Sequence, residues 1–128
     1  MSKRTVIHTS QAPAAIGPYS QGIRSGNLIF TAGQIPIDPA TGKLIEGSFE
    51  DQVQRVLRNL EGILTAAGSS LGRVVKFTVF VTDLGNFPIL NQVFAHYFQE
   101  APPARSAVQV SALPLGAEVE IEAVAVAD

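Results

Sequence analysis

Between Phe49 and Ala67 the apolar positions Phe49, Val53, Val56, Leu57, Leu60, Ile63, Leu64 and Ala67 recur every three or four residues. That spacing predicts an amphipathic helix with one face to bury. Ser48 is placed to cap it, Glu50 and Asp51 put negative charge at the positive end of its dipole, and Gly68 is its stop. In residues 73–81 the period changes to two, with Val75, Phe77, Val79 and Val81 on one side and Lys76, Thr78 and Phe80 on the other. This is the pattern of a half-buried strand. Residues 27–32 read as a buried strand entered through a hairpin from Gly22-Ile-Arg-Ser and Gly26, and residues 38–42 as a Pro/Gly turn. A second helix is predicted from about Phe87 to Phe98, with Asp83 or Asn86 as cap and Pro88 in its first turn. Strands over residues 105–110 and 118–127 complete the chain.

The order strand, strand, helix, strand, helix, strand, strand predicts an α+β fold, a mixed β-sheet with two helices on one face. No third helix is available for the other face, so a neighbouring subunit is expected to cover it. Clefts between subunits suit small ligands.

At 128 residues the chain fits a single domain, 1–128. Its 16% charged residues fall well below the roughly 25% of ordinary soluble domains, which again favours a homo-oligomer. It has no cysteine, hence no disulfide and no thiolate chemistry, which is compatible with the cytosol, and the expectation is a cytoplasmic protein. No apolar run approaches a membrane span, and the first residues lack the apolar core of a signal peptide. A net charge of -2, with basic residues scattered rather than clustered, gives no footprint for nucleic acid. His8 and His96 are far apart and no metal-ligand spacing occurs, so neither a metal nor a nucleotide cofactor is expected.

Arg105 is the only Lys or Arg after Lys76 and lies in the apolar run 101–110. Its permanent charge requires an anion. That anion is either a glutamate of the last strand, reached across an antiparallel pair, or a ligand carboxylate or phosphate gripped by the planar fork. Pro102 and Pro103 stiffen the approach to it. Glu118, Glu120 and Glu122 alternate onto one side of the last strand, either as a solvated row or, if another subunit covers them, with a desolvated carboxyl able to act as acid or base. Asn91 interrupts the stripe Phe87, Asn91, Phe94, Phe98, as a buried amide satisfied by backbone or as a functional group. Tyr19, in a Gly/Pro loop, is either packed or offers its hydroxyl to a pocket.

Five segments, Ile16-Gly-Pro-Tyr-Ser-Gln21, Thr31-Ala-Gly-Gln-Ile-Pro-Ile-Asp-Pro39, Val79-Phe-Val-Thr-Asp-Leu84 with Asn91 beyond, Pro103-Ala-Arg-Ser106 and Val119-Glu-Ile-Glu-Ala-Val-Ala125, together resemble the Rid/YjgF family of reactive-intermediate imine deaminases. They span essentially the whole chain in register. The resemblance implies a chorismate-mutase-like subunit, a homotrimer with sites in its intersubunit clefts, and no cofactor. It also implies hydrolysis of 2-imino acids such as 2-iminopropanoate and 2-iminobutanoate to 2-keto acids and ammonia, the imines being released by pyridoxal-phosphate dehydratases. Carried over by motif, Arg105 would hold the substrate carboxylate, Glu120 would handle water and protons, and Tyr19, Gly33, Asn91 and Ala107 would line the pocket. Ala32 stands where many members carry Ser, and Ala107 where some carry Cys. An endoribonuclease or translation inhibitor, a label attached to some relatives, and a non-catalytic module binding a carboxylate metabolite are the alternative readings.

Overall fold

A computed structural model describes residues 3–127. Among these residues, six strands form one mixed sheet in the order β1 (Arg4–Ile7), β2 (Gly22–Ser25), β3 (Leu28–Thr31), β8 (Val119–Val126), β6 (Val74–Val81) and β7 (Ala104–Gln109). All neighbours are antiparallel except β6 and β7, which run parallel and are joined through α2 (Phe87–Tyr97). A small hairpin of β4 (Ile37–Asp38) and β5 (Lys43–Leu44) brackets the predicted Pro/Gly turn. The first strand, β1, has no counterpart in the sequence prediction, since its exposed Arg4-Thr-Val stretch shows no apolar alternation.

Helix α1 (Phe49–Ala66) forms where the periodicity places it. Ser48 accepts from the Asp51 N–H while Asp51 accepts from the Ser48 N–H, a reciprocal capping box, and Gly68 takes a φ of 83° just beyond the end. Its apolar stripe buries Val53, Val56, Leu57, Leu60, Ile63 and Leu64 completely against the sheet. Each such side chain contributes about 1.5–3 kcal/mol by leaving water, which makes this face of the sheet a firm base for the site. In α2 no side chain caps the helix: Asp83 instead accepts from the Gly85 N–H in the short turn before it.

Directly paired residues share a face of a sheet. Phe77 pairs with Ala123 and Arg105, and Val79 with Ile121 and Ala107, so these rows point toward the helices. Phe80 pairs with Glu120 and Val108, and Thr78 with Glu122 and Ser106, so these point away. On that outer side one row crosses the sheet through Val6, Ile23, Phe30, Val124 and Lys76, with Val6 58% and Phe30 43% exposed. No element among the described residues covers it.

The alternation predicted for residues 73–81 differs in phase from the structure at its start. Val74 pairs with Ala125 and Lys76 with Val124, leaving Val75 as an extra bulged residue, exposed, while Val74 takes the buried position. A period of two cannot reveal an inserted residue.

Candidate functional site

Immediately after β3, the Gln34 N–H donates to the Ile121 carbonyl at 2.8 Å, and the Ile121 N–H donates to the Gln34 carbonyl at 3.1 Å. This pair of bonds lays Gly33 directly against β8 at Glu120. A Cβ built on Gly33 would fall inside the van der Waals shell of Glu120 Oε2 and 2.9 Å from its Cδ. Only a glycine leaves the carboxyl group room to lie there. The two residues share a cleft of about 400 Å³ with Tyr19, Ile16, Ile35 and Pro114. Its lining is mostly apolar, and burial raises the Glu120 pKa, with the negative charge of Glu122 adding to the effect. A carboxyl group so placed can accept and return a proton nearer neutral pH than an exposed glutamate.

Two buried amides hold the cleft walls. Asn59, fully buried on α1, donates to the carbonyls of Ile37 at 2.9 Å and Ile35 at 3.3 Å, and accepts from Arg55 Nε at 3.2 Å. Gln21 binds the backbone of residues 9–13 from the other side. Sequence reasoning missed both. Asn59 was detectable, being a polar residue on the apolar stripe of α1 beside Val56 and Leu60. Gln21 was not, because nothing in its neighbours marks it as buried.

Arg105 occupies the opposite side of the sheet. It lies across the α2 stripe, with Nη2 donating to Asn91 Oδ1 at 2.7 Å and Cζ over the rings of Phe87 at 5.2 Å and Phe94 at 5.0 Å. Partial burial lowers its pKa from the usual arginine value, yet the guanidinium remains a cation at any working pH. Asn91 is exposed and serves this side chain, so the expectation of a buried amide satisfied by backbone is corrected. The glutamate pairing for Arg105 is excluded too. β7 is an edge strand separated from β8 by β6, and Arg105 lies in the helix-facing row of Phe77 and Ala123 while Glu120 and Glu122 point away from the helices.

The row of three glutamates also dissolves. Glu118 precedes β8 and its carboxylate accepts from Gln52 Nε2 of α1 at 2.7 Å, leaving Glu120 and Glu122 on the outer face. The sequence-selected residues therefore divide. Tyr19, Gly33 and Glu120 gather in the cleft, Arg105 and Asn91 gather beneath α2, and Ala107 packs partly buried against the core beside Val79. No group of three His, Cys, Asp or Glu side chains converges among the described residues, and no helix there is long and apolar enough to cross a membrane.

The family model described as Endoribonuclease L-PSP matches residues 9–127. The chain is 51% identical to Protein DfrA of Myxococcus xanthus over 96% of this chain and 95% of that one. It is 47% identical to the 2-iminobutanoate/2-iminopropanoate deaminase of Mus musculus, covering 96% and 91% of the two. Among solved structures, Escherichia coli TdcF with bound serine superposes with a TM-score of 0.92 at 45% identity, covering 97% of this chain and 99% of that chain.

Proposed function

The chain belongs to the Rid/YjgF family, and on that premise we propose that it hydrolyses 2-imino acids, such as 2-iminopropanoate and 2-iminobutanoate, to 2-keto acids and ammonia. The observation that carries this reading is the half-buried Glu120 carboxyl lying against Gly33 in an apolar cleft, where it suits proton transfer. The mouse relative named for this reaction supports it, and so does the serine bound to TdcF, a compact ligand with a carboxylate.

In this reading Arg105 holds the substrate carboxylate, and its mount fits the task. Asn91 and the rings of α2 fix its plane, so little freedom is lost when the anion binds. Glu120 accepts a proton from water as the water oxygen adds to the protonated imine carbon, giving a carbinolamine. It then returns the proton to the amine nitrogen. The C–N bond breaks, ammonia leaves, and the hydroxyl oxygen becomes the keto oxygen as its proton passes to the Glu120 carboxylate, which releases it to the ammonia. Free imines already hydrolyse in water, so positioning and one acid/base group suffice without metal or cofactor chemistry.

Because Arg105 and Glu120 face opposite ways, this mechanism needs two copies of the chain at each site. We place the partner on the uncovered sheet face, in the homotrimer that the family resemblance implies. The partially exposed row Val6, Ile23, Phe30 and Val124 is suited to burial there.

The test couples this protein to a dehydratase acting on serine or threonine, with a scavenger that traps free imine. Keto-acid release is expected to accelerate with the wild type and to lose that acceleration in Arg105→Ala. If both are equally inert while both bind keto acids, or both cleave RNA, the deaminase reading fails.

A further inference from the structure

The β1–β2 ladder ends at the pair Ile7 and Gly22, and residues 9–21 leave the sheet between them as a loop. The neck of this loop is closed by one side chain. Gln21 Oε1 accepts from the Thr9 N–H at 2.8 Å, while Nε2 donates to the carbonyls of Pro13 at 2.8 Å, Thr9 at 3.0 Å and Ala12 at 3.3 Å. The Gln21 backbone carbonyl in turn accepts from the Ala32 N–H at 2.8 Å, tying the same residue to the segment that presents Gly33.

Only an amide satisfies this environment. One acceptor meets an N–H and two N–H donors meet three carbonyls, all at a side chain 2% exposed. Glutamate would keep the Thr9 contact but turn lone pairs toward the carbonyls, and leucine would leave every one of these groups without its partner.

The loop forms one wall of the cleft through Pro13, Ala14, Ile16 and Tyr19, facing Gly33 and Glu120. Near its tip the hydrogen bonds are internal: the Ile16 N–H donates to Tyr19 Oη at 3.2 Å and the Tyr19 N–H to the Gly17 carbonyl at 2.8 Å. At its base Gln11 rests on α1, where Gly62 leaves room for the Gln11 carbonyl. The wall is therefore held at its base, by Gln11 on α1, by Ala12 buried in the core and by the hydrogen bonds of Gln21 at the neck.

We infer that Gln21 is a positioning residue, whose buried amide fixes the 9–21 loop, and with it Tyr19, opposite Glu120. Its kinetic consequence rests on the deaminase reading, whereas its structural consequence rests on geometry alone.

Full-length Gln21→Leu and Gln21→Glu are compared with the wild type by backbone hydrogen exchange and by steady-state kinetics on 2-iminopropanoate generated in situ. In Gln21→Leu the amides of residues 9–20 are expected to exchange about tenfold faster or more, with α1 and β8 keeping wild-type protection. KM is expected to rise about fivefold with kcat held within about twofold, because Glu120 stands on β8 and stays in place. Gln21→Glu changes in the same direction. Unchanged loop exchange, a rise spread evenly over the chain, or a fall in kcat at constant KM overturns the inference. If the leucine variant does not fold, the glutamate variant is judged by the same readouts. If the wild type has no deaminase activity, the deaminase reading fails and loop exchange alone decides this one.

Discussion

Arg105 and Glu120 stand on opposite faces of the same sheet: Arg105 pairs with Phe77 beneath α2, and Glu120 pairs with Phe80 on the side that no helix covers. Side-chain rotation cannot join them within one chain. Mixing Arg105→Ala with Glu120→Ala chains should therefore restore activity that neither variant has alone. In a random mixture half the subunits offer Arg105 and half of their neighbours offer Glu120, so about a quarter of sites recover both. Co-refolding the two variants and measuring keto-acid release checks this. A mixture as inactive as its folded parents means the two residues do not share a site.

In the proposed mechanism Glu120 works as a base only when ionised, so kcat/KM should fall as pH drops through its raised pKa. The acid limb, corrected for spontaneous imine hydrolysis, is expected above the ordinary glutamate range. Glu122→Gln removes the second cause of the shift and should move that limb to lower pH. A limb that stays in place in Glu122→Gln argues against Glu120 as the titrating group.

Stability carries the opposite sign. A carboxyl group whose pKa is raised by folding favours the native state most below its unfolded pKa, and that contribution is lost as pH rises through the folded pKa. At pH 7 the Glu120→Gln protein should melt higher than the wild type while losing activity. Thermal unfolding followed by circular dichroism decides it, and a lower Tm contradicts the assigned burial cost.

Gly33→Ala places a methyl group where the Glu120 carboxyl lies. The flexible side chain can swing aside, so the fold should survive, but the displaced base should cost on the order of a hundredfold in kcat. Single-turnover rates would show this. Near-normal rates mean that the observed seat of Glu120 is not the working one.

Asn91→Ala removes the hydrogen bond that orients Arg105 and should raise KM about tenfold, the lower end of what a single bond to a charged group is worth. Asn91→Asp should bind substrate worse still, because a carboxylate at that position competes for the guanidinium. If aspartate is tolerated better than alanine, Arg105 does not hold an anion.

Much of this was legible in the sequence because it depends on local periodicity. The α1 stripe, its Ser48 cap and Gly68 stop follow from spacing within a few residues, and the two-helix mixed sheet from the order of the elements. Strand neighbours do not. The parallel pairing of β6 with β7 takes Arg105 beyond reach of Glu120 and turns it under α2, and it rests on contacts that no local pattern encodes. The bulge at Val75 and the burial of Gln21 belong to the same class, since each depends on what lies opposite rather than alongside. Asn91 stands out in the sequence as the polar member of its stripe on α2, yet its partner, Arg105, stands on β7.

Placing β8 between β3 and β6 has a consequence for the order in which the molecule is completed. The surroundings of Arg105 come from the contiguous unit β6, α2 and β7, and they can assemble once residue 109 has been made. The cleft around Glu120 must wait for the last strand, which closes on residues near the start: the Ala123 N–H donates to Thr31 Oγ1 across a separation of 92 residues. Contacts so distant along the chain are costly to close and slow to form. The half of the subunit around Arg105 is thus expected to be ready first, and the half around Glu120 only when the last strand is made.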